Sequence, residues 1–232
     1  MRKKTILAGV LGASTLTITA LAPSWALTLK TDKEKSSYAI GREIGENFKK
    51  QGWDIDADIL AESFKSAFSG KPSEMSPEEM KGILQNVQKN MRAKFQEKMA
   101  GLSKANIEEG KKFLEENKKK KGVTETKSGL QYRVLRAGTG KTPAATDTVE
   151  TNYRGTFIDG TEFDSSYKRK QTATFPVSGV IKGWTEALLM MKEGAKWEVF
   201  VPPELGYGSR GSSPAIGPNK TLVFTVELIA VK

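Results

Sequence analysis

The sequence predicts an α+β chain. An all-helical N-terminal region with one long helix, read as a dimerisation region, precedes an antiparallel β-sheet curled around a single short helix. Three observations carry this. Apolar residues recur every three or four positions from Asp32 to about Asn117, they alternate with polar residues after Gly122, and a turn signal bounds each alternating run.

The first 26 residues stand apart. "MRKK" is a positively charged start, "TILAGVLGASTLTITALA" is an apolar run without charge, and "SWA" ends at Ala26 with small residues where a signal peptidase reads. The expected organisation is a signal peptide over 1–26, a helical region over 27–121 and a second domain over 122–232. An uncleaved membrane anchor is the competing reading, but the run is rich in Thr, Ser and Gly and only marginally long for a span. After cleavage no transmembrane span is expected, and no Cys follows to carry a lipid.

In the first helix Ile40, Ile44 and Phe48 recur every four residues, and "QG" at 51–52 stops it. Asp56 caps a second helix bearing Ile59, Leu60, Phe64, Ala67 and Phe68, ended by Gly70. In "SPEE", Ser76 is an N-cap, Pro77 stands in the first turn, and Glu79 completes a capping box. The third helix then runs to Asn117, roughly 60 Å at 1.5 Å per residue. Its stripe includes Met80, Ile83, Leu84, Val87, Met91, Phe95, Met99, Leu102, Asn106, Phe113 and Leu114. The first two helices can cover only part of so long a stripe, so a homodimer through the N-terminal helices is expected. Gly101 and Gly110 weaken the helix and leave room for a bend.

The alternating runs are "GLQYRVLRAG", "TVETNYRGTF", "KWEVFVP" and "TLVFTVELIAV", bounded by "GTGKTP", "IDGTEF", "KEGAK" and "IGPNK". Asp159-Gly160 reads as a hairpin turn. Only "GWTEALLMM", 183–191, reads as a helix in this half.

Composition excludes several chemistries. The chain has no His and no Cys, which argues against zinc, haem, disulfides and a thiol nucleophile. No metal or cofactor is expected. Of the +10 formal charge, Arg2, Lys3 and Lys4 contribute +3, leaving +7 interleaved with acids over both halves. Lys118–Lys121 reads as a linker, so no nucleic-acid partner is expected.

"GLQYRVLRAG", "YRGTFIDGTEFDSS", "VIKGWTEAL", "LGYG" and "TLVFTVEL" occur in the order and spacing of FK506-binding-protein-type prolyl isomerases. The resemblance covers about residues 126–232. "SYAIGREIGENFKKQG", the helical half and the leader resemble the macrophage infectivity potentiator class of bacterial members. The resemblance implies a peptidyl-prolyl cis-trans isomerase whose sheet wraps one helix, with proline-containing peptides bound in the cleft between them. Carried over by motif, Asp164, Tyr207 and Tyr153 act on the substrate, while Phe163, Phe175, Val180, Ile181, Trp184, Ile216 and Phe224 line the cleft, with Trp184 as its floor. Phe157 and Trp197 read equally well as plain core. Three departures bear on substrate preference and on macrolide inhibitors of the FK506 and rapamycin type. Ala173 stands where the prototype has an aromatic, the segment between Phe175 and Val180 is shorter, and Ser212 stands where many eukaryotic members have histidine. The resemblance also implies export to the periplasm, outer membrane or cell surface of a Gram-negative bacterium, unfolded-protein clients, and a virulence role. An alternative is a periplasmic chaperone in which isomerisation is secondary.

A site without acid–base residues can perform this reaction. Rotation about an X–Pro bond breaks no covalent bond and moves no proton; its barrier, roughly 18–20 kcal/mol, comes from amide resonance. Asp164 has two other readings in the sequence. It could cap the turn that follows it, or pair with Glu162 as a glycosidase carboxylate at about 7 Å along a strand.

Overall fold

The structure is a computed structural model that describes residues 27–212 and 214–232. The expected signal peptide lies outside the described residues. Packing divides the chain after Glu74.

The first unit holds α1 (Asp32–Gln51) and α2 (Ala57–Phe68). A complete capping box starts α1: Thr31 Oγ1 accepts from Glu34 N–H, and the Glu34 carboxylate accepts from Thr31 N–H at 2.7 Å. Gly52 ends it in the left-handed region at φ 71°. Asp56 caps α2 through Asp58 and Ile59 N–H. Neither helix buries a residue within the single chain, and Ile40, Ile59, Phe64 and Phe68 stand exposed.

The second unit begins with α3 (Pro77–Asn117), an unbroken helix of 41 residues capped by Ser76. Seven antiparallel strands follow: β1 (Val123–Glu125), β2 (Gln131–Arg136), β3 (Thr148–Phe157), β4 (Glu162–Ser165), β5 (Ala173–Pro176), β6 (Lys196–Val201) and β7 (Leu222–Val231). Their order is β1-β2-β6-β7-β3-β4, with β5 also on β3. β7 pairs with β3 along its whole length, so β4 and β5 share the other edge of β3, interrupted by the one-turn helix α4 (Ser166–Arg169). The sequence reading missed α4, β1 and β5; at three or four residues each they are too short to show a period.

The expected short helix is α5 (Lys182–Met190). Alternate residues of β3 and β7 face it: Val149, Tyr153, Leu222, Phe224, Val226 and Leu228 form one buried cluster with Trp184, Ala187 and Leu188. Gly183 lets α5 approach closely, since a Cβ there would lie 2.7 Å from Val201. A separate contact lies between the end of α3 and the sheet. The Phe113 and Phe200 rings are 6.0 Å apart, and buried Asn117 donates to Gln131 at 3.0 Å. The helix is continuous through Gly101 and Gly110, and Gly110 is buried against Thr221, whose hydroxyl a Cβ would strike. Among the described residues, no helix is long and apolar enough to cross a membrane.

Candidate active site

"FDSS", 163–166, distributes four tasks over four residues. Phe163 turns inward and meets Phe224 edge to face, ring centroids 5.6 Å apart. Ser165 caps α4, its hydroxyl accepting from Lys168 N–H. Ser166 is fully buried where the edge strand is interrupted, and its Oγ accepts from Tyr153 N–H at 2.9 Å, standing in for the missing ladder. Asp164 meets the hydroxyl of Tyr153.

Tyr153 Oη donates to Asp164 Oδ2 at 2.5 Å. Arg169, from the end of α4, donates to Asp164 Oδ1 and to Tyr153 Oη, the latter at 2.8 Å. Its guanidinium also lies over the Tyr153 ring, 5.6 Å from the centroid. Partial burial works against ionisation of Asp164, but the hydrogen bonds from Tyr153 and Arg169 and the guanidinium charge outweigh it, holding the carboxyl below the usual carboxylate range. Burial, then the bond to Asp164, pushes the Tyr153 phenol up. The sequence reading did not name Arg169. Its signal was a cation five residues after Asp164, just past the Ser165 cap.

The turn-cap reading of Asp164 is corrected: Ser165 is the cap. The backbone N–H that Asp164 takes is that of the adjacent Ser165, at 2.8 Å. The glycosidase pairing also lacks a proton donor. Glu162 is bound by Lys168 at 2.9 Å and Arg154 at 2.7 Å, and those two hydrogen bonds hold its carboxyl low.

Trp184 is buried at the third position of α5, and three rings stand perpendicular to it: Tyr153 at 5.3 Å, Phe224 at 5.4 Å and Phe175 at 5.9 Å. Such edge-to-face geometry is a favoured arrangement of aromatic quadrupoles. Gly155 makes room, since a Cβ there would lie 2.7 Å from Phe163 and 2.9 Å from Phe224. Phe157, read as plain core, joins the same chain of rings at 5.1 Å from Phe163. Trp197 lies apart from it, stacked on Tyr132 at 4.4 Å.

Val180, Ile181 and Phe175 are partly buried against this cluster, and Ile216 is buried within it. The Ile181 carbonyl starts α5 by accepting from Trp184 and Thr185 N–H, while its own N–H has no acceptor among the described residues. Tyr207 is 40% exposed. Burial, and then the charge of Asp164, pushes its phenol up. Of the sequence-expected residues, Tyr153, Phe163, Phe175, Val180, Ile181, Ile216 and Phe224 thus share one apolar cluster with Trp184, and Asp164 is tied to it through Tyr153. Among the described residues, no cluster of three or more acids is placed to hold a metal ion.

The fold is thus a sheet packed on one helix, with a cluster of rings built around that helix's Trp184. The chain belongs to the FKBP-type peptidyl-prolyl cis-trans isomerase family: the family model of that description matches residues 139–229, and the model for the domain amino-terminal to it matches residues 33–134. It is 46% identical to the outer membrane protein MIP of Legionella longbeachae over 232 residues, all of this chain and 99% of that one. It is 47% identical to the peptidyl-prolyl cis-trans isomerase Mip of Coxiella burnetii over 207 residues, 89% of this chain and 90% of that one. The crystal structure of FkpA from Escherichia coli superposes with a TM-score of 0.69 at 42% identity, covering 88% of this chain and 99% of that one. The protein is an isomerase of X–Pro peptide bonds.

Proposed function

We propose that the cleft over Trp184 is where the bond turns, and that it works by removing the amide from water. The observation that carries this reading is the ring of Tyr153, Phe175 and Phe224 standing edge-on around Trp184. A twisted amide loses its C–N double-bond character and becomes less charge-separated, so a dry aromatic cleft favours it over the planar ground state. Phe175, Val180, Ile181, Trp184 and Phe224 grip the pyrrolidine ring, with Phe163 and Ile216 closing the sides. The uncommitted Ile181 N–H and the Tyr207 hydroxyl donate to carbonyls flanking the proline. Asp164, fixed by Tyr153 and Arg169, presents its charge to the rotating carbonyl's carbon side.

The uncatalysed exchange takes about 10–100 s, and each 1.36 kcal/mol removed is about tenfold in rate. A protease-coupled assay on a proline-containing peptide tests the assignment. Asp164→Leu should retain the fold and lose about tenfold or more in kcat/KM; wild-type activity in that variant sinks it.

The wider reading has the protein exported by its first 26 residues to the envelope of a Gram-negative bacterium, where it assists folding of proline-containing clients. The Legionella longbeachae relative, named an outer membrane protein, supports that location. Residues 27–121 form a dimerisation arm and 122–232 the isomerase domain. The exposed apolar faces of α1 and α2, with Ile40, Ile59, Phe64 and Phe68, support a homodimer. The same faces favour a second reading, capture of unfolded clients with isomerisation secondary, and a virulence role at the surface is compatible with either. Macrolides of the FK506 and rapamycin type would compete for the Trp184 cleft.

A further inference from the structure

Two residues poorly suited to the middle of a helix, Asn106 and Gly110, stand four apart on one face of α3, and both are buried. Asn106 Nδ2 donates to the carbonyl of Pro218 at 2.7 Å, across 112 residues of chain. One turn earlier, Ser103 Oγ accepts from Asn219 Nδ2 at 2.7 Å. Gly110 admits Thr221 where any Cβ would collide, and Glu109 reaches Lys220 at 3.6 Å. Four consecutive residues, 218–221, are thus held by one helix face.

Those residues anchor the loop that forms one wall of the cleft. Asn219, in the left-handed region at φ 52°, donates its own N–H to the carbonyl of Gly208 at 2.8 Å, next to Tyr207. Ile216 and Ser212 exchange backbone bonds of 2.8 Å in each direction, closing the loop tip. The path from α3 to Tyr207 is therefore two hydrogen bonds long.

We infer that Asn106 and Ser103 are positioning residues for isomerisation: through Pro218 and Asn219 they fix the loop that carries Tyr207 and Ile216. This rests on the cleft reading above. Without the latch, the loop remains attached through its strand ends, but the Tyr207 hydroxyl and the Ile216 side chain sample wider positions, and orientation is lost at the rotating bond.

The test uses the full-length protein in the prolyl-peptide assay. Asn106→Ala should lower kcat/KM about three- to tenfold. Amide hydrogen exchange should speed up over residues 208–219 while the β3 and β7 amides keep their protection. Tyr207→Phe combined with Asn106→Ala should lose less than the product of the two single losses, because the second change acts through the first. Ser103→Ala, on the more exposed turn, should show a smaller loss of the same kind and serves should Asn106→Ala fail to fold. Unchanged kcat/KM in both folded α3 variants, or strictly multiplicative losses with Tyr207→Phe, overturns the latch. A silent Tyr207→Phe sinks the role given to that hydroxyl instead, and the latch is then decided by the α3 variants and the exchange pattern.

Discussion

Tyr153 Oη and Asp164 Oδ2 lie 2.5 Å apart, and Arg169 bonds both partners from the far side. The phenol and guanidinium hold the carboxylate, and neither is itself placed to carry a proton through the reaction. Arg169→Leu should therefore lower the isomerase rate by less than Asp164→Leu, since Tyr153 still orients the acid. Full-length kcat/KM for the two variants, measured side by side, checks the ranking.

The pH profile follows from the same group. Asp164 is held low, and Tyr153 and Tyr207 are both pushed up. None of them titrates between pH 6 and 8, so the rate should be flat there. Because the folded carboxyl sits below its unfolded value, its contribution to stability is complete above about pH 4 and is lost as the pH falls through the lower folded value. A bell-shaped profile near neutrality would overturn the mechanism.

Gly155→Ala places a methyl 2.7 Å from Phe163 and 2.9 Å from Phe224. Overpacking of this kind costs about 1–3 kcal/mol. Thermal melting should show the loss, and the isomerase rate should fall with it as the rings shift.

Ser166→Ala removes the hydroxyl that accepts from Tyr153 N–H in a fully buried place. A buried donor without a partner costs about 1–3 kcal/mol. A Tm lowered by several degrees is expected; an unchanged Tm would mean that the ladder gap closes without the serine.

In sedimentation, the full-length protein should run as a dimer at micromolar concentration. Ile44→Glu, on the apolar face of α1, should shift it to monomer while leaving the isomerase rate on a short peptide unaltered.

Much of this architecture can be read from residue spacing. Asp56 and Ser76 announce their helices because a cap acts within three residues. The Asp159-Gly160 turn is equally local, with Gly160 at φ 85° and Asp159 accepting from Thr161 N–H. The Trp184 surroundings became legible only through family motifs, since Phe175 and Phe224 are far apart in sequence. Arg169 and the roles of Ser165 and Ser166 escaped because a break in an edge strand leaves no periodic trace. The packing role of Gly110 escaped for a related reason: what requires glycine there is Thr221, 111 positions away.

The sheet ends in β1, three residues long, on one side, and on the other in β4 and β5, four residues each and separated by α4. A long open edge offers unpaired amides and carbonyls to any extended chain that passes. An enzyme whose substrates are extended chains meets that hazard at every encounter. Short, broken rims leave such a segment little ladder on which to be recruited as an eighth strand.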